Sequence, residues 1–372
     1  MHVLMTALQP GGGIRTFFRY IYSQPDFSGD RFTLIAPDAD HQLAEFLIPI
    51  LGEDRFKIVS APNDVIGFVR VIRKELDIPG YDLIHSHGFG AGLLTEVATF
   101  GRKAPKHLMT AHDVFLETQF NSWKGKFRKY VMAKLFAKMH AIHTVTNDAT
   151  ENFIEFFPNL PRSCFRPILH GVDTEFFASG QPIDLRRKLQ IPIDVPLIGF
   201  FGRFMGQKGF RTLVDALVIL KGDQFKPMPK VLTFGWGGFI REDYEYLASA
   251  GLADYFVQLP ATNDMPAMIK SVDMVAMPSR WEACGLLAME VLASGTPLLS
   301  TDCIGLREVV AGSPARIFAP GDAKSLAKLI KAEIEVSSRE EFLVYQKTAI
   351  ERFHISIPAS RLRVLYDEVL GV

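Results

Sequence analysis

The sequence predicts an α/β protein made of two doubly wound domains, each a parallel sheet covered by helices on both faces. Three observations carry the prediction. Short β-rich runs alternate with longer amphipathic ones, the pattern of a parallel sheet with crossover helices. The alternation then restarts at Pro196-Leu197-Ile198-Gly199-Phe200-Phe201-Gly202, which reads as a new first strand. The length of 372 residues suits two domains.

In the first half, strands are predicted over 2–8, 31–37, 56–61, 81–87, 106–111, 141–146 and 164–169. Helical periodicity separates most of them, as from Ile14 to Tyr22 and from Val65 to Leu76. In the second half, further runs follow the strand at 196–202, over 230–235, 255–259, 273–278, 296–301 and 315–319. The polar, proline-containing stretch 178–195 is the natural linker between domains 1–177 and 196–354. A final helix at about Ser360 to Val369 has no strand after it. In doubly wound sheets ligands bind at the carboxyl ends of strands, so functional residues are expected just after them.

Hydrophobic residues make up 48% and charged residues 22%, as in an ordinary soluble globular protein. Lys+Arg and Asp+Glu are both 41, so global charge predicts no nucleic-acid partner. Cys164, Cys284 and Cys303 are scattered, with neither metal-ligand spacing nor a disulfide framework, which fits a reducing compartment. His2 to Leu8 reads as a strand and not as a secretory leader. No apolar run approaches the ~18 residues of a membrane span. The expectation is a cytoplasmic protein, at most peripheral on a membrane.

The most informative segment is Pro278 to Glu290, where Glu282 and Glu290 flank a Gly285-Leu286 pair. At a helix rise of about 1.5 Å per residue, eight steps separate the carboxylates by roughly 12 Å, comparable to the span from a hexose to a ribose across a diphosphate. Earlier, Phe201-Gly202-Arg203 ends a strand, and Lys208-Gly209 follows before a helix. Arg and Lys converging there can neutralise a diphosphate without metal. Gly11-Gly12-Gly13 follows the first strand and lacks the full dinucleotide-binding fingerprint. Asp82-Leu83-Ile84-His85-Ser86-His87 sets two histidines on one strand face, and no third metal ligand is apparent nearby. Thr110-Ala111-His112-Asp113 closes another strand. Gly235 and its neighbours follow the strand at 230–235, and Trp236 suits either a core anchor or a base pocket.

These segments, in this order, resemble the retaining glycosyltransferases with two facing Rossmann-like domains (the GT-B architecture), in particular family 4. The likeness runs over about residues 2–370. It implies a retaining, metal-independent hexosyl transfer from a nucleotide sugar, a UDP-sugar by preference and GDP-mannose as the second choice. No cofactor or metal is implied. The acceptor would be a glycan or lipid-linked sugar, as in bacterial surface polysaccharide or lipopolysaccharide synthesis. The N-terminal domain would serve the acceptor and residues 196–354 the donor, with the last helix (355–372) crossing back.

Residue by residue, the resemblance gives Arg203 and Lys208 the departing diphosphate, Glu282 the transferred sugar's hydroxyls and Glu290 the ribose. Gly202, Gly235, Cys284, Gly285 and Leu286 line the donor, with backbone amides at a helix start. His112 lies by the anomeric centre and Asp113 orients its loop. Gly12 approaches donor phosphates and acceptor, and His85 and His87 shape the acceptor side. His170-Gly171-Val172-Asp173 matches a family turn that more usually begins with Asn. Asp302, Gly305 and Glu308 build a loop facing the donor, and Pro320-Gly321-Asp322 precedes a helix. The alternatives are a nucleotide-sugar epimerase of the same architecture and a non-catalytic sugar-binding protein. A phosphorylase would need a longer chain and a pyridoxal phosphate lysine.

From Thr118 to Asn147 there is no acidic residue, while six Lys and Arg side chains stand within 120–140. Trp123, Phe127, Val131, Leu135 and Met139 recur every four residues. The stripe is expected to pack on the sheet with the lysines in solvent. The cationic face remains a candidate contact for an anionic membrane.

Overall fold

The computed structural model describes residues 1–235 and 237–372. Trp236 lies outside the described residues. The chain divides into two compact units, Met1–His170 with Ile355–Val372, and Gly171–His354.

The first unit holds seven parallel strands: β1 His2–Ala7, β2 Arg31–Ala36, β3 Phe56–Ser60, β4 Leu83–His87, β5 Lys106–Ala111, β6 Ala141–Thr144 and β7 Phe165–Pro167. Their order is β3-β2-β1-β4-β5-β6-β7. The second unit holds six: β8 Leu197–Phe201, β9 Lys230–Phe234, β10 Phe256–Gln258, β11 Met274–Met277, β12 Leu298–Thr301 and β13 Arg316–Phe318, in the order β10-β9-β8-β11-β12-β13. All thirteen predicted strands are present. They are legible because strands buried on both faces read as near-continuous apolar runs.

Strand order reverses between β1 and β4 in the first sheet, and between β8 and β11 in the second. The carboxyl ends of strands at such a reversal are where doubly wound sheets bind their ligands. Side-chain alternation sends Val3 and Met5 to one face of the first sheet and Leu4 to the other.

The final helix, Ser356–Leu370, belongs to the first unit and covers the Val3/Met5 face through Ala359, Leu362 and Tyr366. Arg363 bonds Asp30 at 2.8 Å, and Asp30 also holds the chain's amino terminus at 2.7 Å.

Residues 178–195 belong to the second unit. They carry the short helix Leu185–Leu189, and Ile183 N–H donates to Ser271 at 2.7 Å.

The helix Trp123–Phe136 corrects the expectation for the basic segment. Its buried face is Gly125, Met132 and Phe136, continued by Met139. Trp123, Phe127 and Tyr130 are 75%, 65% and 61% exposed. A stripe counted every four residues drifts around a helix of 3.6 residues per turn. The face that packs follows the shorter period, so the aromatic ridge points to solvent beside the lysines.

Candidate active site

In the second unit the switch point brings the loops after β8 and β11 together. Glycine makes the approach possible. Gly209 has φ +67°, and a side-chain carbon there would lie 1.9 Å from the Pro278 carbonyl oxygen. Gly235 has φ +103° and packs its α-carbon onto Gly202, 2.5 Å being the reach of a Cβ to that carbonyl oxygen. The loops are also laced by Arg280 N–H donating to Gln207 O at 2.7 Å, and by Gln207 Nε2 donating to Trp281 O at 2.9 Å.

This geometry delivers Lys208 to Glu282. The ammonium lies 2.7 Å from Glu282 Oε1, which also accepts from Ser279 Oγ at 2.7 Å. Gln207 Nε2 stands 3.4 Å from the other oxygen. Glu282 is buried, and a carboxylate can remain charged in such a place only when donors surround it. Arg203 is exposed, with no hydrogen bond or ion pair among the described residues. Two cations, one held and one free, thus follow β8.

The helix Leu286–Ala293 starts at Gly285, with no side-chain cap. Glu282 therefore precedes the helix, and eight helical steps do not describe its separation from Glu290. Cys284 is half-buried in the same loop. Glu290 is one turn into the helix, and burial raises its carboxyl to about 7.

In the first unit, Gly12 (φ 59°) precedes the helix Gly13–Tyr22, whose first turn has no side-chain cap. His85 and His87 are wholly buried at the end of β4. His87 Nδ1 meets His112 Nε2 at 3.2 Å. The His112 ring stacks near His170, centroids 5.6 Å apart, and meets Phe17 edge-on at 5.1 Å. Burial, reinforced by neighbouring imidazoles, holds His85, His87, His112 and His170 well below the usual histidine range. His143 is lowered to about 4 by burial. Asp113 is exposed and accepts from Val114 N–H at 2.8 Å, fixing the turn after His112. Among the described residues no group of three or more His, Cys, Asp or Glu side chains is placed to hold a metal.

Comparison with known proteins gives the family. Residues 11–176 match the family profile "Glycosyltransferase Family 4", and residues 195–335 match "Glycosyl transferases group 1". The chain belongs to the family 4 (group 1) glycosyltransferases. A D-inositol 3-phosphate glycosyltransferase of Stackebrandtia nassauensis is 27% identical over 72% of this chain and 65% of that protein. The lipopolysaccharide core biosynthesis mannosyltransferase LpsB of Rhizobium meliloti is 31% identical over 43% of this chain and 47% of its own length. The chain thus spans less than two thirds of each. Anabaena Alr3699/HepE, solved in complex with UDP-glucose, superposes with a TM-score of 0.82 over 98% of this chain and 99% of that one, at 20% identity. That likeness shows the fold, the GT-B pair of Rossmann-like units ending in a C-terminal helix.

Several residues of these clusters escape sequence reasoning. Ser279 and Gln207, which hold Glu282, are ordinary polar residues in loops. Tyr22 and Tyr366 meet at 3.1 Å across 344 residues of chain, and His143 joins through Thr110. Only the histidine count and the period-two spacing at 85 and 87 hint at such a cluster. Asp173 and Asp322 act as helix caps, accepting from Phe176 N–H at 3.0 Å and Ser325 N–H at 2.9 Å. No helix among the described residues is long and apolar enough to cross a membrane.

Proposed function

We propose that this protein transfers a hexose, with retention of anomeric configuration and without a metal ion, from a nucleotide sugar to a glycan or lipid-linked acceptor. A UDP-sugar is the favoured donor and GDP-mannose the second. The setting is bacterial surface polysaccharide or lipopolysaccharide synthesis. The observation that carries the reading is the pair Lys208–Glu282 at the β8/β11 switch point, with Arg203 unengaged beside it.

Arg203 and Lys208 neutralise the departing diphosphate, which is where negative charge grows as the anomeric C–O bond breaks. Glu282 accepts from sugar hydroxyls, and Glu290 from those of the ribose. The amides at Gly285 and Leu286 add donors at a helix start, beside Cys284. Gly202 and Gly235 let the nucleotide approach. In the first unit, His112 lines the anomeric centre, Asp113 fixes its loop, Gly12 faces donor and acceptor, and His85 and His87 support His112 from within. The acceptor oxygen forms its bond on the face the leaving group vacates. Its proton passes to the departing phosphate oxygen, so no side-chain nucleophile is required. Residues 196–354 bind the donor and the first unit serves the acceptor.

Names of relatives support the class. LpsB is a lipopolysaccharide core mannosyltransferase, and Alr3699/HepE binds UDP-glucose. The enzyme would work at the inner face of a membrane, held by the aromatic and lysine ridge on Trp123–Phe136. The test is a panel of UDP-, GDP- and ADP-sugars scored by thermal stabilisation, because a ligand of the native state raises its melting temperature. Release of nucleoside diphosphate is then followed with a chelator present. Stabilisation by one donor, chelator-resistant turnover and its loss in Arg203→Ala are expected. Absolute dependence on magnesium or manganese would overturn the reading, and conversion of the donor without an acceptor would indicate an epimerase.

A further inference from the structure

A chain of hydrogen bonds runs from His112 into the first unit, and nothing in the proposed reaction accounts for its length. It passes from His112 Nε2 to His87 Nδ1 at 3.2 Å, and from His87 Nε2 to the Tyr22 hydroxyl at 3.2 Å. Tyr22 touches the Tyr366 hydroxyl at 3.1 Å and His85 Nδ1 at 3.1 Å, while Tyr366 lies 2.7 Å from the same nitrogen. His85 Nε2 meets Thr110 Oγ1 at 2.6 Å, Thr110 meets His143 Nδ1 at 2.9 Å, and His143 Nε2 meets the Ile168 carbonyl at 3.2 Å. Apart from His112 every side chain in the chain is buried.

Counting protons gives the chain a direction. A carbonyl only accepts, so His143 carries its proton on Nε2. The ring is neutral, so Nδ1 accepts and Thr110 donates to it. The Thr110 oxygen then accepts from His85 Nε2–H, which leaves His85 Nδ1 as a lone pair. Two phenol protons remain. One must go to His85 Nδ1, and the other must fill the contact between the two phenols, since two buried oxygens at 3.1 Å without a proton between them would leave that contact unmade. Whichever phenol serves which contact, Tyr22 has no proton left for His87. His87 therefore donates from Nε2 to the Tyr22 oxygen, and its Nδ1 accepts from His112 Nε2–H. The remaining nitrogen of His112, Nδ1, has no partner among the described residues.

We propose that Tyr22, supported by Tyr366, is a positioning residue that locks the proton of His112 on Nε2 and so presents Nδ1 to the ligand as an acceptor. The inference rests on the reading that His112 lines the reacting sugar. Its consequence is chemical selectivity. The ring takes a hydroxyl of the sugar or acceptor and gives nothing to a carboxylate or phosphate at that point. His170 and Phe17 hold the ring from turning, which keeps Nε2 on His87. Tautomer fixed through a second group's hydrogen bond is a general device for orienting imidazoles.

The test separates the lock from the reading beneath it. The full chain is prepared with ¹⁵N-labelled histidine, and long-range ring correlations report which nitrogen of His112 is protonated, the His112→Ala variant assigning the signals. The expected result is Nε2–H in the native protein. Tyr366→Phe should keep it, because the single phenol proton of Tyr22 still goes to His85. Tyr22→Phe should release it, giving a mixture of tautomers and a fall in kcat of about tenfold, the worth of one hydrogen bond, with donor KM little changed. Both variants remove one buried hydroxyl, so a merely structural role would affect them alike. A native proton on Nδ1, or identical spectra for the two variants, would overturn the proposal. Full turnover in His112→Ala would instead sink the placement of His112 at the reacting sugar, while the spectra still decide the lock.

Discussion

Lys208 and Glu282 hold each other at 2.7 Å, and this contact sets what each can do in the proposed reaction. If Lys208 binds the diphosphate as proposed, its ammonium must turn toward phosphate or be shared with it, while Ser279 and Gln207 remain to hold the carboxylate. Lys208→Met should lower kcat/KM at least tenfold, about 1.4 kcal/mol of barrier. It should also destabilise the fold by about 1–3 kcal/mol, because a buried carboxylate loses its cation. Adding Glu282→Gln should restore most of the melting temperature and none of the activity. Denaturation and turnover of the single and double variants check this, and recovered activity in the double variant would refute the assigned roles. Glu290 gives a second prediction. Its folded carboxyl, raised to about 7 against an unfolded value near 4.5, favours the protonated native state. Its contribution to stability is full below pH 4.5 and is lost as pH rises through 7. Glu290→Gln should therefore be the more stable protein above pH 7, by up to about 3 kcal/mol. It should bind the nucleotide more weakly there, because an ionised carboxylate is the better acceptor for ribose hydroxyls. Urea titrations at pH 5 and pH 8 with a nucleotide-binding isotherm measure both.

At the scale of elements, the helix Trp123–Phe136 makes the clearest case. Lys124 lies over the Trp123 ring at 5.7 Å, Lys134 over Tyr130 at 5.6 Å, and Lys138 over the exposed Phe100 at 5.0 Å. Exposed aromatics interleaved with cations suit the boundary of an anionic bilayer, where rings enter and ammonium groups meet headgroups. The protein should float with vesicles containing anionic lipid at low salt and remain behind with zwitterionic ones. Trp123→Ala with Phe127→Ala should weaken that binding at least tenfold while soluble-acceptor turnover persists. Equal flotation of the variant would exclude the ridge as the anchor. The same helix shows what the sequence made legible. Strands were readable because both faces are buried, and local apolar content suffices to find them. A helix apolar on more than one side has no unique buried face in its sequence, and only packing on the sheet chooses Met132 and Phe136. The Glu282 segment stands out in the sequence, yet its support does not, since Ser279 and Gln207 gain meaning only when two switch-point loops meet. The phenol contact of Tyr22 with Tyr366 depends on the final helix returning to the first sheet, which no local pattern in either segment states.

Across the whole molecule, titrating groups are divided unequally between the two units. His85, His87, His112, His143 and His170 all lie in the first, and all are held below the ordinary imidazole value by burial. The unfolded chain then binds more protons than the native one below about pH 6.5. Stability from these groups is full above that value and drains away as pH falls toward their folded values. For His143 the window runs from 6.5 down to about 4, and this ring alone accounts for up to about 3 kcal/mol by its lower end. In the second unit Glu290 pulls the other way, gaining relative stability over the same descent. Mild acid, between pH 6.5 and 5 and above the range of ordinary carboxylates, should therefore loosen the first unit and spare the second. Amide hydrogen exchange, corrected for the intrinsic pH dependence, should show β4, β5 and β6 losing protection at pH 5 while β8, β11 and β12 keep theirs. Replacing His143 by Gln, which can still donate to the Ile168 carbonyl, should shift the loss to lower pH. Uniform loss of protection across both units would mean that the imidazole cluster does not govern the acid response.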